Sequence, residues 1–171
     1  MPTFRDSEVE FFREIDLDKF NEFLRNNNIL FCVKLHPKSK LKEKFASLES
    51  ENIINIHADT DPYVFINESH GLVTDYSSIY FDYLFADKPI CFFDYDLETY
   101  LKDSREMYFD YEEFTPGEKA TNQGELETAL ANICNGVDNY IESRSTLRGK
   151  LFDLTERSVS QELVEYIKTI L

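Results

Sequence analysis

The sequence predicts an α/β fold of the Rossmann type, in which a parallel sheet carries helices on both faces. Three observations favour this fold class: apolar runs alternate with amphipathic runs, some apolar runs are continuous, and polar clusters follow them. A continuous apolar run is typical of a strand covered on both faces, as strands of parallel sheets are. Strands that alternate with helices imply a doubly wound arrangement.

A helix and a strand open this alternation. The helix is predicted over 16–28. Its Leu17, Phe20 and Leu24 recur at helical spacing, and a run of asparagines then ends it. The continuous apolar run ILFCVKL predicts a strand over 29–35 that is buried on both faces. Three further elements follow: a charged helix at 38–49, a strand at 52–56 and a helix at 61–69.

The second half of the chain repeats the pattern. GLVTD predicts a strand at 71–75, and PICFF predicts another at 89–93. Between them, IYFDYLFA is apolar on almost every side, which indicates a buried helix over 79–86 that the Asp-Lys-Pro sequence at 87–89 ends. Two helices close the chain: 125–133, with Leu126, Ala129, Leu130 and Ile133 on one stripe, and 160–170.

The composition predicts a single domain over 1–171, because 171 residues with 42% hydrophobic content can bury one ordinary core. The formal net charge of −15, from 33 acidic and 18 basic residues, argues against nonspecific nucleic-acid binding and docking on anionic lipid. A local group of residues must therefore hold any anionic ligand. No apolar segment reaches membrane-spanning length and no signal peptide precedes Met1, so we expect a cytoplasmic protein without direct membrane insertion.

The three cysteines are predicted to be buried, reduced thiols. Cys32, Cys91 and Cys134 are odd in number and far apart, and the first two lie in the apolar runs FCV and ICFF. Disulfides and metal ligation are the alternatives.

Polar clusters fall where the predicted strands end. In a doubly wound sheet, the ligand lies beyond the carboxyl ends of the strands. KLHP at 34–37 ends one strand and TDYSS at 74–78 ends another, while PTFRD at 2–6 follows whatever strand precedes it. These clusters therefore predict a ligand site at this edge of the sheet.

Ser77 and Ser78 would lie in the first turn of the predicted buried helix. Backbone N–H groups and the positive end of the helix dipole favour an anion there, and the hydroxyls can donate to phosphate oxygens. The alternative is that Asp75, Ser77 or Ser78 serves only as a helix cap.

The extended string TDYSSIYFDYLFADKPICFFDYDLETY, from Thr74 to Tyr100, resembles the signature of the CDP-glycerol glycerophosphotransferase family. These bacterial enzymes build the poly(glycerol phosphate) or related chains of teichoic acids. MPTFRD at the start, VKLHPKS at 33–39 and REMYFDYEEFTPG at 105–117 match further blocks of the family in the same order.

The resemblance implies a GT-B architecture, of which this chain is the second, nucleotide-binding half. The chemistry it implies is attack by an acceptor hydroxyl on the phosphate attached to glycerol in CDP-glycerol, or in another CDP-alcohol, with release of CMP. It implies no metal and no cofactor. The acidic residues agree, because Asp75, Asp82, Asp94 and Asp96 lie on separate predicted elements without a recognisable metal-ligand spacing.

The resemblance also implies roles for individual residues. His36 matches a histidine implicated in catalysis, either as general base on the acceptor or as hydrogen-bond donor to the leaving phosphate. Thr74, Ser77 and Ser78 match a segment that contacts the diphosphate, and Arg105 matches an arginine placed to meet phosphate. Asp75 is grouped with these substrate-binding residues.

Two further charged residues are candidate substrate contacts. Asp82 is the one charge in an apolar helix, so it needs a partner such as the helix N-terminal amides, Lys88 or a tyrosine; its role is either structural or ligand-binding. Arg5 either contacts phosphate or forms a simple salt bridge. The segment FDYDLETY at 93–100 is predicted to be a loop over the site, with a solvated face as the alternative.

Some features depart from the family. Glu106 follows Arg105 where the family usually has glycine, and Glu162 stands near a position where the C-terminal helix commonly carries arginine. The front half, which in the family supplies the acceptor site and membrane attachment, is missing. We therefore expect no full catalysis by this chain alone.

The predicted domain is truncated on its N-terminal side. In a doubly wound sheet the first strand is central, and only Met1 to Phe4 could remain of it here. Such a gap leaves unpaired backbone groups and an apolar slot. The chain is therefore either a fragment of a larger protein, or it borrows a strand from another copy, as a homo-oligomer, or from a partner chain.

Two other functions remain open at this point. One is a related GT-B sugar-nucleotide transferase or epimerase domain, which would use the same anion site for a UDP-sugar. The other is a noncatalytic remnant that serves as an interaction module.

Overall fold

A computed structural model of the chain describes residues 15–35, 50–57, 59–103, 108–152 and 159–171. The elements are α1 (Leu17–Asn26), β1 (Phe31–Lys34), β2 (Ile53–Ile56), α2 (Tyr63–Ile66), β3 (Leu72–Thr74), α3 (Ile79–Tyr83), β4 (Ile90–Phe93), α4 (Leu97–Asp103), α5 (Tyr111–Phe114), β5 (Glu118–Ala120), α6 (Gln123–Cys134), α7 (Ile141–Leu151) and α8 (Val159–Ile170).

All strand pairs that the structure describes are parallel. β1 pairs with β2, with Phe31 opposite Ile53. β3, β4 and β5 form a second sheet in that order, with Leu72 opposite Ile90. The predicted α/β fold with parallel strands is therefore confirmed.

Helices cover both faces of the three-stranded sheet. On one face, α1 and α6 pack against Cys91 and Phe93 of β4 and contribute Leu24 and Leu126; we call this core one. On the other face, α3 and α7 pack against Ile90 and Phe92 of the same strand and contribute Tyr83 and Leu147; we call this core two. All four residues of β4 are buried as a result, which is the burial that its continuous apolar run predicts.

The ends of α1 follow from local side-chain chemistry. The Asp16 carboxylate accepts a hydrogen bond from the backbone N–H of Lys19 at 3.3 Å, so it caps the first turn. At the other end, Asn28 adopts a left-handed conformation with φ of 54°, which asparagine tolerates better than most residues. The asparagine run therefore ends the helix as predicted.

The predicted burial of β1 on both faces is wrong. Phe31 and Val33 pack against core one, but Cys32 between them is exposed. The reason is that alternate residues of a strand point to opposite faces, and no described element covers the second face of β1. Cys134 at the end of α6 is also exposed, so only Cys91 of the three free cysteines is buried. Burial raises the pKa of the Cys91 thiol to about 12.

The segment around α3 also differs from prediction. The regular helix ends at Tyr83 instead of continuing to residue 86, and turns follow up to Asp87, whose φ is 50°. Phe85 in these turns is 54% exposed and packs on Phe152, with ring centroids 4.5 Å apart. The predicted buried helix is therefore confirmed only for its first part.

Other elements were predicted imperfectly. The segment at 93–100 is not a loop throughout, because β4 ends at Phe93 and α4 begins at Leu97. The helix predicted over 61–69 is regular only in α2, and the charged helix predicted over 38–49 lies outside the described residues, as does Met1 to Phe4. β5, α5 and α7 were not predicted, since their apolar patterns are short or weak. The helices described are all too short or too polar to span a membrane.

A buried ion pair attaches α7 to the rest of the fold. The side chain of Arg144 is 0% exposed. Its guanidinium donates to both carboxylate oxygens of Asp138, at 2.8 and 2.5 Å, and its Nε lies 3.7 Å from the Asp87 carboxylate. One turn later, Arg148 donates to the carbonyl of Leu84 at 3.1 Å. These contacts connect α7 to the turns that follow α3.

Replacing Asp138 by alanine should destabilise the protein by about 3–5 kcal/mol, because it leaves the buried Arg144 guanidinium without its main partner. Urea unfolding at neutral pH measures this loss. The control Glu142→Ala removes an exposed carboxylate from α7, the helix that carries Arg144. It should change the free energy of unfolding by less than about 0.5 kcal/mol.

The pH dependence provides a second measurement of this pair. Hydrogen bonds from Arg144 lower the pKa of Asp138 from its ordinary value of 3.8. The stabilisation is therefore fully present above that ordinary value and is lost as the pH falls through the lowered one. The difference in unfolding free energy between wild type and Asp138→Ala should narrow below about pH 4. A difference that does not depend on pH would contradict this account.

Candidate functional site

The carboxyl ends of β3 and β4 bring two polar segments to one edge of the sheet. β3 ends at Thr74 and is followed by Asp75, while β4 ends at Phe93 and is followed by Asp94. Thr74, Asp75 and Asp94 are all buried. Because strands of a parallel sheet end at the same edge, and ligands of such sheets bind there, this edge is the candidate site.

The turn between β3 and α3 is held by an aspartate. One carboxylate oxygen of Asp75 accepts a hydrogen bond from the backbone N–H of Ser77 at 3.0 Å, which is the geometry of an Asx turn. Ser78 occupies the N-cap position of α3, but its side chain makes no capping hydrogen bond. The hydroxyls of Ser77 and Ser78 therefore cap no helix in the described contacts. The alternative that these two serines are simple helix caps has no described contact in its favour.

Tyrosines join this turn to the segments that follow β4. The hydroxyl of Tyr76 donates to Asp96 at 2.9 Å, and its ring stacks on Tyr100 with centroids 3.9 Å apart. The hydroxyl of Tyr111 donates to Asp94 at 2.6 Å. We call these five residues the tyrosine–aspartate network. It fixes the position of the Asp75–Ser78 turn relative to β4 and α4.

Burial determines the protonation of this network. It raises the pKa of Tyr76 and of Tyr111, and the neighbouring carboxylates raise both further. Burial also raises the pKa of Asp94, although the hydrogen bond from Tyr111 opposes this shift. Both tyrosines therefore remain protonated at neutral pH and act as hydrogen-bond donors.

A half-buried lysine lies beneath the network. The Lys119 ammonium is 4.5 Å from the ring centroid of Phe92 and 5.4 Å from that of Tyr111. It donates to the carbonyls of Thr115 and Gly117, and burial lowers its pKa. The Lys119 ammonium is thus bonded to backbone carbonyls and packed on aromatic rings. We therefore interpret Lys119 as a structural residue of this sheet edge.

The predicted site residues fall into three groups, of which the structure describes two. Thr74, Asp75, Ser77 and Ser78 adjoin one another at the carboxyl edge of the sheet. Asp82 lies on α3, where its carboxylate accepts a hydrogen bond from Tyr63 at 2.8 Å. Arg5, His36 and Arg105, with Glu106, lie outside the described residues.

The contact to Asp82 is one of the partners expected from the sequence. Of the three candidates, a tyrosine is the one observed. Lys88 donates instead to the backbone carbonyls of Asn67 and Ser69, at 2.5 and 2.7 Å, and so caps the segment that follows α2. Within the described contacts, Asp82 thus links α3 to α2.

Sequence reasoning missed the tyrosine–aspartate network. Tyr76, Tyr100 and Tyr111 were not singled out, and Asp94 and Asp96 were considered only as metal ligands. A signal was present, because Asp-Tyr pairs recur in the chain and two of them directly follow strands. These pairs are at 75–76, 82–83, 94–95 and 110–111.

A cavity of about 440 Å³ opens between α5, the start of β5 and α7. Its charged lining consists of three glutamates and two lysines, so it offers an anion no net attraction. Those residues are Glu112, Glu113, Glu142, Lys119 and Lys150. Over the ranges that the structure describes, histidine, cysteine and acidic side chains form no group that could hold a metal ion.

Comparison with known proteins identifies relatives over the whole chain. The family described as CDP-Glycerol:Poly(glycerophosphate) glycerophosphotransferase matches residues 1–169. A teichoic acid glycerol-phosphate transferase of Staphylococcus aureus is 37% identical over 99 residues, covering 58% of this chain and 25% of the relative. A teichoic acid glycerol-phosphate primase of Bacillus spizizenii is 29% identical over 167 residues, covering 97% and 42%.

Solved structures of the wall teichoic acid polymerase TagF share the fold. One has a TM-score of 0.70 at 26% identity, over 91% of this chain and 38% of TagF. A TagF variant soaked with CDPG has a TM-score of 0.67 at 27% identity, over 80% and 33%. These matches confirm the predicted fold class and the resemblance. The chain spans only 25% to 42% of the length of the two curated relatives.

The raised pKa of Asp94 leads to a test of the network. Because burial favours the protonated carboxyl, the stability it contributes is present at low pH and is lost as the pH rises through the folded-state pKa. Asp94→Asn keeps an acceptor for Tyr111 and removes the charge. Its unfolding free energy relative to wild type should therefore increase between about pH 4 and pH 8.

Urea unfolding across this pH range measures the effect. The control Glu98→Gln removes an exposed carboxylate from α4 and should follow wild type at every pH. If the difference in unfolding free energy between Asp94→Asn and wild type stays constant with pH, burial does not disfavour the ionised carboxylate of Asp94.

Proposed function

Because this chain belongs to the CDP-glycerol:poly(glycerophosphate) glycerophosphotransferase family, we propose that it is the donor-binding part of such an enzyme. In this role it holds CDP-glycerol, or another CDP-alcohol, while glycerol phosphate passes to an acceptor hydroxyl and CMP leaves. The product is a teichoic acid or a related cell-surface polymer. The observation that carries the proposal is the turn at the carboxyl edge, in which Asp75 holds the backbone and no described residue bonds to the hydroxyls of Ser77 and Ser78.

The turn suits the diphosphate of the donor. The hydroxyls of Ser77 and Ser78 donate hydrogen bonds to phosphate oxygens, and the backbone N–H groups that open α3 point the same way. α3 has only five residues, so its dipole is small and the hydroxyls supply much of the attraction. Thr74 and Asp75 act by positioning these donors, since both are buried.

Phosphoryl transfer also requires neutralisation of charge on the diphosphate. The net charge of −15 and the nearby carboxylates of Asp94 and Asp96 oppose an anion. We therefore assign the neutralising groups to His36 and Arg105, for which the resemblance implies catalytic and phosphate-contacting roles, and to Arg5, the further candidate phosphate contact. His36 acts either as general base on the acceptor or as donor to the leaving phosphate.

The remaining predicted contact is Asp82. Its carboxylate already accepts the Tyr63 hydroxyl, and a carboxylate repels phosphate. If Asp82 meets the donor, the chemistry fits a hydroxyl of the glycerol or ribose, which can donate to the second carboxylate oxygen.

Loss of both serine hydroxyls should weaken nucleotide binding. We expect Ser77→Ala with Ser78→Ala to reduce the affinity for CDP by roughly 1–3 kcal/mol, which is the scale of hydrogen bonds to a charged group. This corresponds to a dissociation constant roughly 5- to 150-fold higher. Calorimetric titration with CDP measures it.

The control for this titration is Ser145→Ala, an exposed serine on α7, which should bind CDP as wild type does. Titration with CMP and with UDP-N-acetylglucosamine tests the alternatives. Tighter binding of the uridine nucleotide would favour a sugar-nucleotide enzyme. The absence of a heat signal with every nucleotide would favour a noncatalytic module. Unchanged CDP affinity in the double variant would remove the two serines from the site.

Catalysis needs parts of the enzyme beyond this chain. The chain spans a quarter to two-fifths of its relatives, 25% and 42% in the two cases given, and we assign the acceptor site and any membrane attachment to a separate half or partner chain. We expect the 171-residue chain to bind CDP-glycerol without polymerising it. Incorporation of labelled glycerol phosphate into polymer measures turnover.

The matched sample for this assay is a fusion of the chain to the front part of a relative, for which we expect turnover. Polymer synthesis by the isolated chain would refute the assignment of the acceptor site to a separate half or partner chain. The donor-binding role would remain. A fusion that carries His36→Ala and retains full turnover would remove His36 from the mechanism.

A further inference from the structure

A pair of stacked phenylalanine rings lies beside the candidate site. The rings of Phe109 and Phe114 have centroids 4.1 Å apart and planes inclined by 11°, so they stack face to face. Phe114 packs against core two, whereas Phe109 is 50% exposed. Phe114 therefore covers one face of the Phe109 ring, and the exposed surface of Phe109 includes the opposite face.

The start of α5 holds the Phe109 ring in place. Asp110 is the N-cap of α5, and its carboxylate accepts a hydrogen bond from the backbone N–H of Glu113 at 3.0 Å. Phe109 and Phe114 flank this first turn at the two positions where apolar side chains form a hydrophobic staple. The staple accounts for the contact between the two rings, but it uses only one face of Phe109.

Tyr111 places this pair at the carboxyl edge of the sheet. Its hydroxyl donates to Asp94, which directly follows β4. Its ring centroid is 6.2 Å from that of Tyr76, the residue directly before Ser77. Phe109 precedes Tyr111 by two residues, which an extended chain spans in about 7 Å. Phe109 therefore lies near the turn that we assign to the diphosphate.

Other exposed aromatic side chains lack one of these two properties. Tyr108 is 97% exposed, and no ring supports it in the part of the chain that the structure describes. Phe85 is 54% exposed and packs on Phe152, but it follows α3 on the way to the start of β4, away from the carboxyl edge. Phe109 is both supported by a second ring and close to the site.

We propose that the exposed face of Phe109 is the platform on which the nucleobase of the donor stacks. This role rests on the proposed function, in which the diphosphate lies at the turn that carries Ser77 and Ser78. The base then forms a third layer on the rings of Phe114 and Phe109. Because the staple already holds the Phe109 ring, little side-chain freedom is lost when the base binds.

The chemistry of the platform determines what it recognises. Every nucleobase has a π face, so stacking on phenylalanine is tolerant of the base. Phe109 therefore adds affinity for the nucleoside part of the donor without selecting cytosine over uracil. The ring carries no charge, so the net charge of −15 on the chain does not oppose this contact as it opposes the phosphates.

A comparison of CDP with pyrophosphate tests the platform, since pyrophosphate fits the same turn but has no base. Phe109→Leu keeps an apolar side chain for the staple and removes the aromatic face. We expect calorimetric titration to give a dissociation constant for CDP roughly 5- to 150-fold higher in this variant, the range for loss of one base–aromatic stack. The dissociation constant for pyrophosphate should not change, and UDP should lose as much affinity as CDP.

A tryptophan reporter provides a second measurement. The chain contains no tryptophan, so Phe109→Trp introduces a single indole that retains an aromatic face. CDP should bind this variant at least as tightly as wild type and quench its fluorescence, whereas pyrophosphate should leave the fluorescence unchanged. The matched control is Phe85→Trp, at another half-exposed ring that packs on a phenylalanine. Its fluorescence should not respond to CDP.

Equal CDP affinity in Phe109→Leu and wild type would overturn the platform and leave the donor-binding role intact. An equal loss of CDP and pyrophosphate affinity would also overturn it, because the substitution would then act on the turn and not on the base. A fluorescence response to CDP at position 85 and none at position 109 would place the base elsewhere. If wild type binds neither CDP nor pyrophosphate, the proposed function fails, and the platform fails with it.

Discussion

The burial of β4 on both faces is the constraint on which the rest of the structure depends. Cys91 and Phe93 face core one, while Ile90 and Phe92 face core two. A strand buried in this way needs parallel neighbours on both edges and helices on both sides. β3 and β5 supply the neighbours, and α1, α6, α3 and α7 supply the covers. The two cores therefore lie on opposite sides of these four consecutive apolar residues.

The candidate site follows from the same constraint. Because β3 and β4 are parallel, the chain leaves both at one edge, and the segments that follow them meet there. Tyr76 from one segment donates to Asp96 of the other, and Tyr111 donates to Asp94. Burial keeps the tyrosines protonated, so these contacts hold the Asp75 turn in place. The rigid sheet therefore supports the donors that we assign to the diphosphate.

An acidic protein that binds an anion must do so through local donors. The tyrosine–aspartate network brings carboxylates close to the site, but tyrosine hydroxyls engage at least one oxygen of Asp94 and of Asp96. Among the described contacts nothing engages the hydroxyls of Ser77 and Ser78, which we propose for a ligand, next to backbone N–H groups. The donor site that we propose would therefore select its ligand by geometry more than by net attraction, and it would need cations from other segments.

The sequence by itself determined the elements whose side-chain pattern is regular. The stripe of α1, the stripe of α6 and the continuous run of β4 predict helix, helix and buried strand, because periodicity reports which faces a segment buries. The TDYSS string and the blocks around it likewise identified the family and one edge of the sheet. Local signals therefore sufficed for the fold class, and they predicted the edge of the sheet at which we place the candidate site.

Only the tertiary structure decided which side chains meet across elements. Cys32 lies in an apolar run and is nevertheless exposed, because the cover on its face is set by other segments. Arg144 is polar and fully buried, since Asp138 lies within reach of its guanidinium. The contact of Tyr76 with Asp96 joins residues 20 positions apart. Periodicity carries no information on such pairs, because it records the faces of one segment and not the neighbour that each face will contact.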